Sequence, residues 1–369
     1  MKIALSVDAL SHKLTGIGRY CKELAVGLPM HSDIREVCYF IDAEPVKLNQ
    51  SGFLCENRYG SRQLKKVIKR FRALKMKSSL SSFLVHSPNY FLPSWSRRGV
   101  ITAHDLSVFL YPDTHPVERV IDFEKNFLNS INKSAHIIVD SESVRKEIIS
   151  FTGVPSSMVT AVPLGINKDY RPRNYNEIYP IIKRFNIEPF QYGLCVSTLE
   201  PRKRIHLLLE AWCDLPRKIR DRFPLVLVGG SGWNNLSLLN RMEGAARDGW
   251  LINLGYVSEV ELTALYAGAR VFAYPSVYEG FGLPPLEAMS SGVPTIVADI
   301  PCLAEVTRGA AELVNPEDTP ELIYSIERAL EDQKWRNRQI VSGLNVAKDY
   351  TWERCVNETV KVYEKANLN

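Results

Sequence analysis

Short, continuously apolar runs alternate with longer amphipathic ones through the second half of this chain. The runs Tyr192–Ser197, Leu225–Gly229, Ile252–Tyr256, Val271–Pro275, Thr295–Ala298 and Glu312–Val314 predict strands. Ile205–Asp214 and Glu259–Ala267, between them, carry apolar residues at helical spacing. Strands that are apolar at every position, separated by helices, imply a parallel sheet covered on both faces. The first half repeats the pattern less cleanly, with strands expected at Ile3–Val7, Cys38–Ile41, Val100–Ala103, Ile137–Asp140 and Thr160–Val162. Lys168–Asn176 is polar, charged and proline-containing, and reads as a linker. The pattern therefore predicts an α/β protein of two doubly wound, Rossmann-like domains, 1–172 and 173–350, with a cleft between them. Ligands of such sheets sit beyond the carboxyl ends of the strands.

Composition narrows this picture only slightly. At 369 residues, 45% hydrophobic and 24% charged, the chain has ordinary globular make-up and room for two domains. Its seven cysteines are scattered and include no Cys-x-x-Cys pair, which argues for reduced thiols in a cytosol and against a zinc site. The run Met1–Asp8 reads as a first strand, not a signal peptide. No apolar stretch approaches the roughly 20 residues that span a bilayer.

The densest chemical signal is Glu279-Gly-Phe-Gly-Leu-Pro-Pro-Leu-Glu287, directly after the strand Val271–Pro275. Gly280 and Gly282 permit a tight turn and close approach of a ligand. Pro284 or Pro285 suits a first helical position. A strand, a glycine turn and a helix N-terminus form an anion site fit for a diphosphate. The two glutamates would repel phosphate, and carboxylates accept hydrogen bonds from vicinal hydroxyls, such as those of sugars. Taken singly, Glu287 also fits a helix-dipole partner and Glu279 a solvated loop acid. Ser197-Thr-Leu-Glu-Pro-Arg202-Lys203-Arg204 gathers three cations at another strand end, as a diphosphate clamp or as a solvated basic turn. Gly229-Gly230-Ser-Gly232 would let backbone approach a nucleotide.

In the first half, Ile3–Val7 leads into Thr15-Gly16-Ile-Gly18-Arg-Tyr20, a phosphate-binding type of turn. Cys21 stands where a third glycine would complete the dinucleotide fingerprint, so a dehydrogenase is a poor reading. His104 follows the strand Val100–Ala103, in a structural or a functional role. From Arg58 to Ala103 there is no acidic residue. Within it, Leu64, Val67, Ile68, Phe71 and Leu74 line one face of a basic helix, 64–75. That helix binds an anionic membrane surface or packs its apolar face on the core. No nucleic-acid recognition motif accompanies the charge.

In order, Thr15-Gly-Ile-Gly-Arg, His104-Asp-Leu, Val162-Pro-Leu-Gly-Ile-Asn, Thr198-Leu-Glu-Pro-Arg-Lys, Leu227-Val-Gly-Gly and the glutamate pair at 279 and 287 resemble the family-four retaining glycosyltransferases of the GT-B fold. The resemblance covers nearly the whole chain. It implies a nucleotide-sugar donor held mainly by the C-terminal domain, an acceptor-binding N-terminal domain, and a last helix, within 351–369, that packs back on the first domain. Glu287 would bind the ribose, and Glu279 with Gly280, Phe281, Gly282 and Leu283 the donor sugar. Arg202 and Lys203 would face the diphosphate, Gly16 and Gly18 the reaction centre, and His104 the sugar. Glu279, His104, Arg202 and Lys203 form the expected catalytic set, and Gly229 and Gly230 complete the donor-binding one.

Two departures from the family pattern are Thr198, where many members carry arginine, and Arg204, where asparagine is common. No Asp-x-Asp occurs, so neither metal nor cofactor is expected, and Arg202, Lys203 and helix N-termini would neutralise the leaving group. The departing phosphate would take the acceptor's proton, giving retention without an enzyme nucleophile. Similarity to bacterial mannosyltransferases points to GDP-mannose, with dTDP- or UDP-sugars next. The acceptor expected is a polyprenyl-diphosphate-linked glycan of O-antigen or other polysaccharide assembly, met in the cytoplasm or at the inner membrane face. A nucleotide-sugar epimerase and a non-catalytic glycan-binding relative are the competing readings.

Overall fold

The computed structural model describes residues 1–10, 16–55, 66–230, 232 and 236–368, with backbone alone for 66–71 and 368. It divides into two compact units: residues 1–106, 121–165 and 351–369 form the first, and 107–120 and 166–350 the second.

The first unit holds β1 (Lys2–Ser6), β2 (Glu36–Ile41), β3 (Glu44–Val46), β4 (Leu84–Ser87), β5 (Gly99–Thr102), β6 (Ser134–Val139) and β7 (Val159–Ala161). Their order is β3-β2-β1-β4-β5-β6-β7, and every pair is parallel except β2–β3. The helix Trp352–Leu368 packs against β6 and the helix Gly16–Gly27. Gly27 lets the two helices approach, because a Cβ there would lie 2.6 Å from Val356.

The second unit holds β8 (Gly193–Val196), β9 (Leu225–Val228), β10 (Leu251–Gly255), β11 (Val271–Tyr274), β12 (Thr295–Ala298) and β13 (Glu312–Val314), all parallel, in the order β10-β9-β8-β11-β12-β13. Strands β9, β11 and β12 are buried at every position, as strands covered on both faces must be. Trp212 is fully buried against β8, at Gly193, where a Cβ would fall 2.1 Å from its ring. Both sheets are doubly wound. The order reverses between β1 and β4 in the first and between β8 and β11 in the second, and such a reversal opens the crevice where ligands sit.

Several expectations need correction. Strands β3 and β4 were not anticipated. The chain leaves the first unit at Gly165/Ile166, ahead of the expected 172/173, and 107–120 groups with the second. Much of the expected linker is folded into the second unit: Asn174 caps the helix Tyr175–Ile182 in a reciprocal capping box with Glu177. Within the second unit, the Ile166 N–H donates to the Tyr350 carbonyl at 3.0 Å.

Candidate functional site

The switch point of the second sheet puts the carboxyl ends of β8 and β11 side by side, and both of the strongest sequence motifs lie there. From β8 the chain runs through Ser197–Arg204, and from β11 through Pro275–Gly282. Arg202 links the two. Its carbonyl accepts from the Val277 N–H at 3.0 Å, and its guanidinium donates to the Tyr278 carbonyl at 2.9 Å and to Glu200 at 3.0 Å.

Lys203 and Glu279 form a buried ion pair in direct hydrogen-bond contact. Arg202 lies 3.7 Å from the other Glu279 oxygen. Burial opposes the Glu279 charge, yet Lys203 and Arg202 outweigh it and hold the carboxyl below the usual carboxylate range. Burial and the neighbouring Arg202 push Lys203 below the ordinary lysine range, while Glu279 works to keep it charged. The Lys203 ammonium also donates to the Tyr274 hydroxyl at 2.9 Å and lies 5.3 Å from that ring's centroid. An ammonium has three donors, so among the described residues one is left for a ligand anion after Tyr274 and Glu279. Sequence reasoning named Lys203 and Glu279 but missed Tyr274 and Glu200. Tyr274 reads as one more apolar strand residue. Glu200 sits inside a recognised motif, and its ties to Arg202 and to the Thr198 hydroxyl, at 2.6 Å, are a matter of folding.

The glycine turn behaves partly as expected. Gly282 has φ 112°, and its helix, Leu283–Ser290, starts with no side-chain cap. The prolines stand at the second and third helical positions, not the first. They remove two of the N–H groups a helix N-terminus usually offers, so anion binding falls to the turn's own amides and to the cations. Cys302 steadies the turn by donating to the Phe281 carbonyl at 3.1 Å. Glu287 lies on the buried face of that helix, 4% exposed. Tyr266 is held far above the usual phenol range by burial and by the Glu287 charge. Tyr111 places its ring 5.2 Å from Tyr278, beside Glu279 in sequence.

The loop at 229–232 is stitched to the same motif: the Leu199 N–H donates to the Gly230 carbonyl at 3.1 Å. Gly229 is required by the fold itself, with φ 145° and a Cβ that would sit 1.9 Å from the Ser197 carbonyl oxygen. Among the described residues a Cβ on Gly230 meets nothing within 4 Å, so their packing does not explain that glycine. Arg204 points elsewhere, into a two-pronged salt bridge with Glu317 at 2.7 Å and 3.3 Å. Its φ of 52° explains why asparagine is the commoner choice there.

In the first unit, Gly16 and Gly18 lie in the opening turn of the helix Gly16–Gly27, not in a loop before it, and Thr15 lies outside the described residues. His104, 7% exposed, sits just beyond β5 with both ring nitrogens engaged, Nδ1 to Asp140 at 2.7 Å and Nε2 to the Pro88 carbonyl at 2.9 Å. It is thus held more tightly than a residue free to turn toward a ligand. Leu64 and Lys65 of the basic segment lie outside the described residues. The helix spans Lys66–Ser79, with Leu74 59% exposed and Met76 buried.

The chain is similar to known proteins in sequence and in fold. Residues 181–345 match the family described as "Glycosyl transferases group 1". The chain is 36% identical, over 99% of its length and 100% of the relative's, to O-antigen chain mannosyltransferase B of Escherichia coli. The chain belongs to the group 1 glycosyltransferases. It is also 31% identical to the O-antigen chain mannosyltransferase RfbU of Salmonella typhimurium, over 60% of this chain and 58% of that one. Among solved structures, sucrose-phosphate synthase from Thermosynechococcus elongatus superposes with a TM-score of 0.73 at 20% identity, covering 99% and 98% of the two chains. Anabaena HepE, in complex with UDP-glucose, gives 0.74 at 18% identity, covering 99% of each. At that identity the likeness speaks to fold, and the fold is GT-B: two Rossmann-like units, each built on a parallel sheet.

Proposed function

We propose that this glycosyltransferase moves mannose from GDP-mannose, with retention of configuration, to a growing lipid-linked glycan in O-antigen synthesis. The observation that carries the reading is the near full-length relationship to an O-antigen chain mannosyltransferase, with the Lys203–Glu279 pair and Arg202 gathered at the switch point. In this reading Glu287 holds the ribose, Glu279 and the turn Gly280–Leu283 hold the sugar, and Arg202 with the free Lys203 donor holds the diphosphate. Two cations at the strand end supply the charge that a metal would otherwise bring to the leaving group. A His–carboxylate pair such as His104–Asp140 is the usual equipment of a general base. Here the second ring nitrogen is already spent on Pro88, which favours proton transfer to the departing phosphate instead.

The first test is a metal-free thermal-shift panel of GDP, UDP, dTDP and their sugars. A ligand at 100 times its dissociation constant adds about 2.7 kcal/mol of stability. A shift with GDP and GDP-mannose, lost in Glu287→Ala, is expected, together with an α-linked mannoside by proton NMR of the product. A shift confined to UDP or dTDP would replace the donor, and none at all would sink the site assignment.

The basic helix supports a place at the membrane. Met76 and Leu80 are buried, while Leu74, about 160° around the axis from Met76, is exposed among lysines and arginines. Cosedimentation with vesicles containing anionic lipid, weakened by Leu74→Glu, is the expected result; equal binding by the variant would remove this part of the proposal.

A further inference from the structure

Glu200 is buried beside the two cations of its own motif, and a buried carboxylate needs partners. Among the described residues it has two. One oxygen accepts from the Thr198 hydroxyl at 2.6 Å and the other from Arg202 Nε at 3.0 Å. Backbone bonds close the turn around it: the Glu200 N–H donates to the Thr198 carbonyl at 2.9 Å, and the Lys203 N–H to the Glu200 carbonyl at 3.0 Å. The Nη1 group of Arg202 donates to the Tyr278 carbonyl at 2.9 Å and lies 3.7 Å from Glu279. A guanidinium is planar, so bonds at Nε and at Nη1 fix its plane as well as its position. Of those two bonds, the one to Glu200 is between opposite charges, the stronger kind.

Charge alone argues against an acid here. Two cations that are to receive a diphosphate attract it less with each carboxylate placed beside them. Burial and the Arg202 charge push Lys203 below the ordinary lysine range, and Glu200, after Glu279, works against that. Glu279 has a sugar to hold in the reading above, whereas Glu200 is spent on Thr198 and Arg202.

We propose that Glu200 is a positioning residue of the donor site: held by Thr198, it grips Arg202 at Nε and presets the guanidinium for the donor's diphosphate. This rests on the reading above that Arg202 meets the diphosphate. All of these groups belong to the second unit, at the carboxyl ends of β8 and β11, where ligands of such sheets sit. A cation fixed before the anion arrives loses little freedom on binding and is aimed from the start.

The test is NMR titration with GDP and with guanosine, which keeps the base and ribose and lacks the phosphates. UDP with uridine, or dTDP with thymidine, takes their place if the thermal-shift panel selects that base. Removing a carboxylate that adds only negative charge would tighten GDP binding. Removing one that positions Arg202 weakens it, so the sign of the change decides. Glu200→Gln is expected to bind GDP about 10-fold more weakly, and Thr198→Val, at an exposed position and with no change of charge, about 3-fold. Guanosine affinity is unchanged in both. In an Arg202→Met background Glu200→Gln should weaken GDP no further, and that double variant leaves neither charge buried alone. Tighter GDP binding by Glu200→Gln, an equal loss for guanosine, or a loss that persists without Arg202 overturns the proposal. Unchanged GDP affinity in Thr198→Val does so too, and that measurement stands even if Glu200→Gln does not fold. If Arg202→Met binds GDP like the wild type, the reading that Arg202 meets the diphosphate has failed, and the proposal with it.

Discussion

Lys203 is buried, and a buried ammonium must spend its donors well. It spends one on the Tyr274 hydroxyl and one on Glu279. Tyr274→Phe would keep the ring under the cation and remove only the oxygen. A buried donor would then lack its acceptor, at a cost of about 1–3 kcal/mol. Denaturant titration should show that loss, and steady-state kinetics a kcat reduced about 10-fold, with nucleotide affinity changed far less. Unchanged kcat would mean that Glu279 alone holds the ammonium in place. At this scale the sequence named residues better than partners. Glu279 and Lys203 stood out because acids and cations at strand ends are uncommon without a reason. That they pair with each other, 76 positions apart, is visible only once β8 and β11 are neighbours. The histidine at 104 stood out for the same reason, but its immobility depends on Asp140 and Pro88, which no local pattern joins to it.

Among the elements, continuous apolar runs were read well, because a strand covered on both faces has no polar side to hide it. β4 escaped because only Leu84 and Val85 are apolar. Its other two residues, His86 and Ser87, are polar yet buried, and His86 is satisfied by Tyr363 and Thr102 at 2.7 Å and 3.0 Å. The glycine loop after β9 shows why motif glycines need sorting. Gly229→Ala must place a Cβ against a backbone oxygen at an unfavourable φ, and about 2–4 kcal/mol of stability should be lost. Gly230→Ala meets open space, and its stability should stay within about 0.5 kcal/mol. If the nucleotide approaches here, the second variant should instead show a weaker GDP-induced thermal shift. Equal destabilisation by both, or full nucleotide affinity in Gly230→Ala, would detach this loop from ligand binding.

For the whole molecule, pH is where the first unit's buried network should register. Tyr363, His86, Thr102 and Tyr20 form one hydrogen-bonded chain that ties the last helix and β4 to β5 and the helix Gly16–Gly27. Its hydroxyls could accept from a second ring proton, but burial, with His104 beside it, drives His86 down to about 3. A group whose folded pKa is depressed below its unfolded value favours the unfolded chain as pH falls, because only that chain takes the proton. The His86 contribution therefore holds above the unfolded value of about 6.5 and erodes by about 1.4 kcal/mol per unit toward pH 3. His104 does not mask this: its raised pKa leaves it protonated in both states below about 6.5. Asp140, whose pKa burial raises, works in the opposite direction, but nearer the carboxylate range. His136 on β6, pushed down to about 4 by burial, acts in the same range but is common to both proteins compared, so the difference is read from about pH 6 to pH 5. His86→Gln keeps a donor and an acceptor for Tyr363 and Thr102 while removing the titration. Denaturant unfolding of the two proteins, with hydrogen exchange identifying the first unit's transition, should give the variant a shallower slope by about 1.4 kcal/mol per pH unit. Equal slopes would mean that the folded first unit accepts the proton after all, and that the chain from Tyr363 to Tyr20 can rearrange around a charged His86.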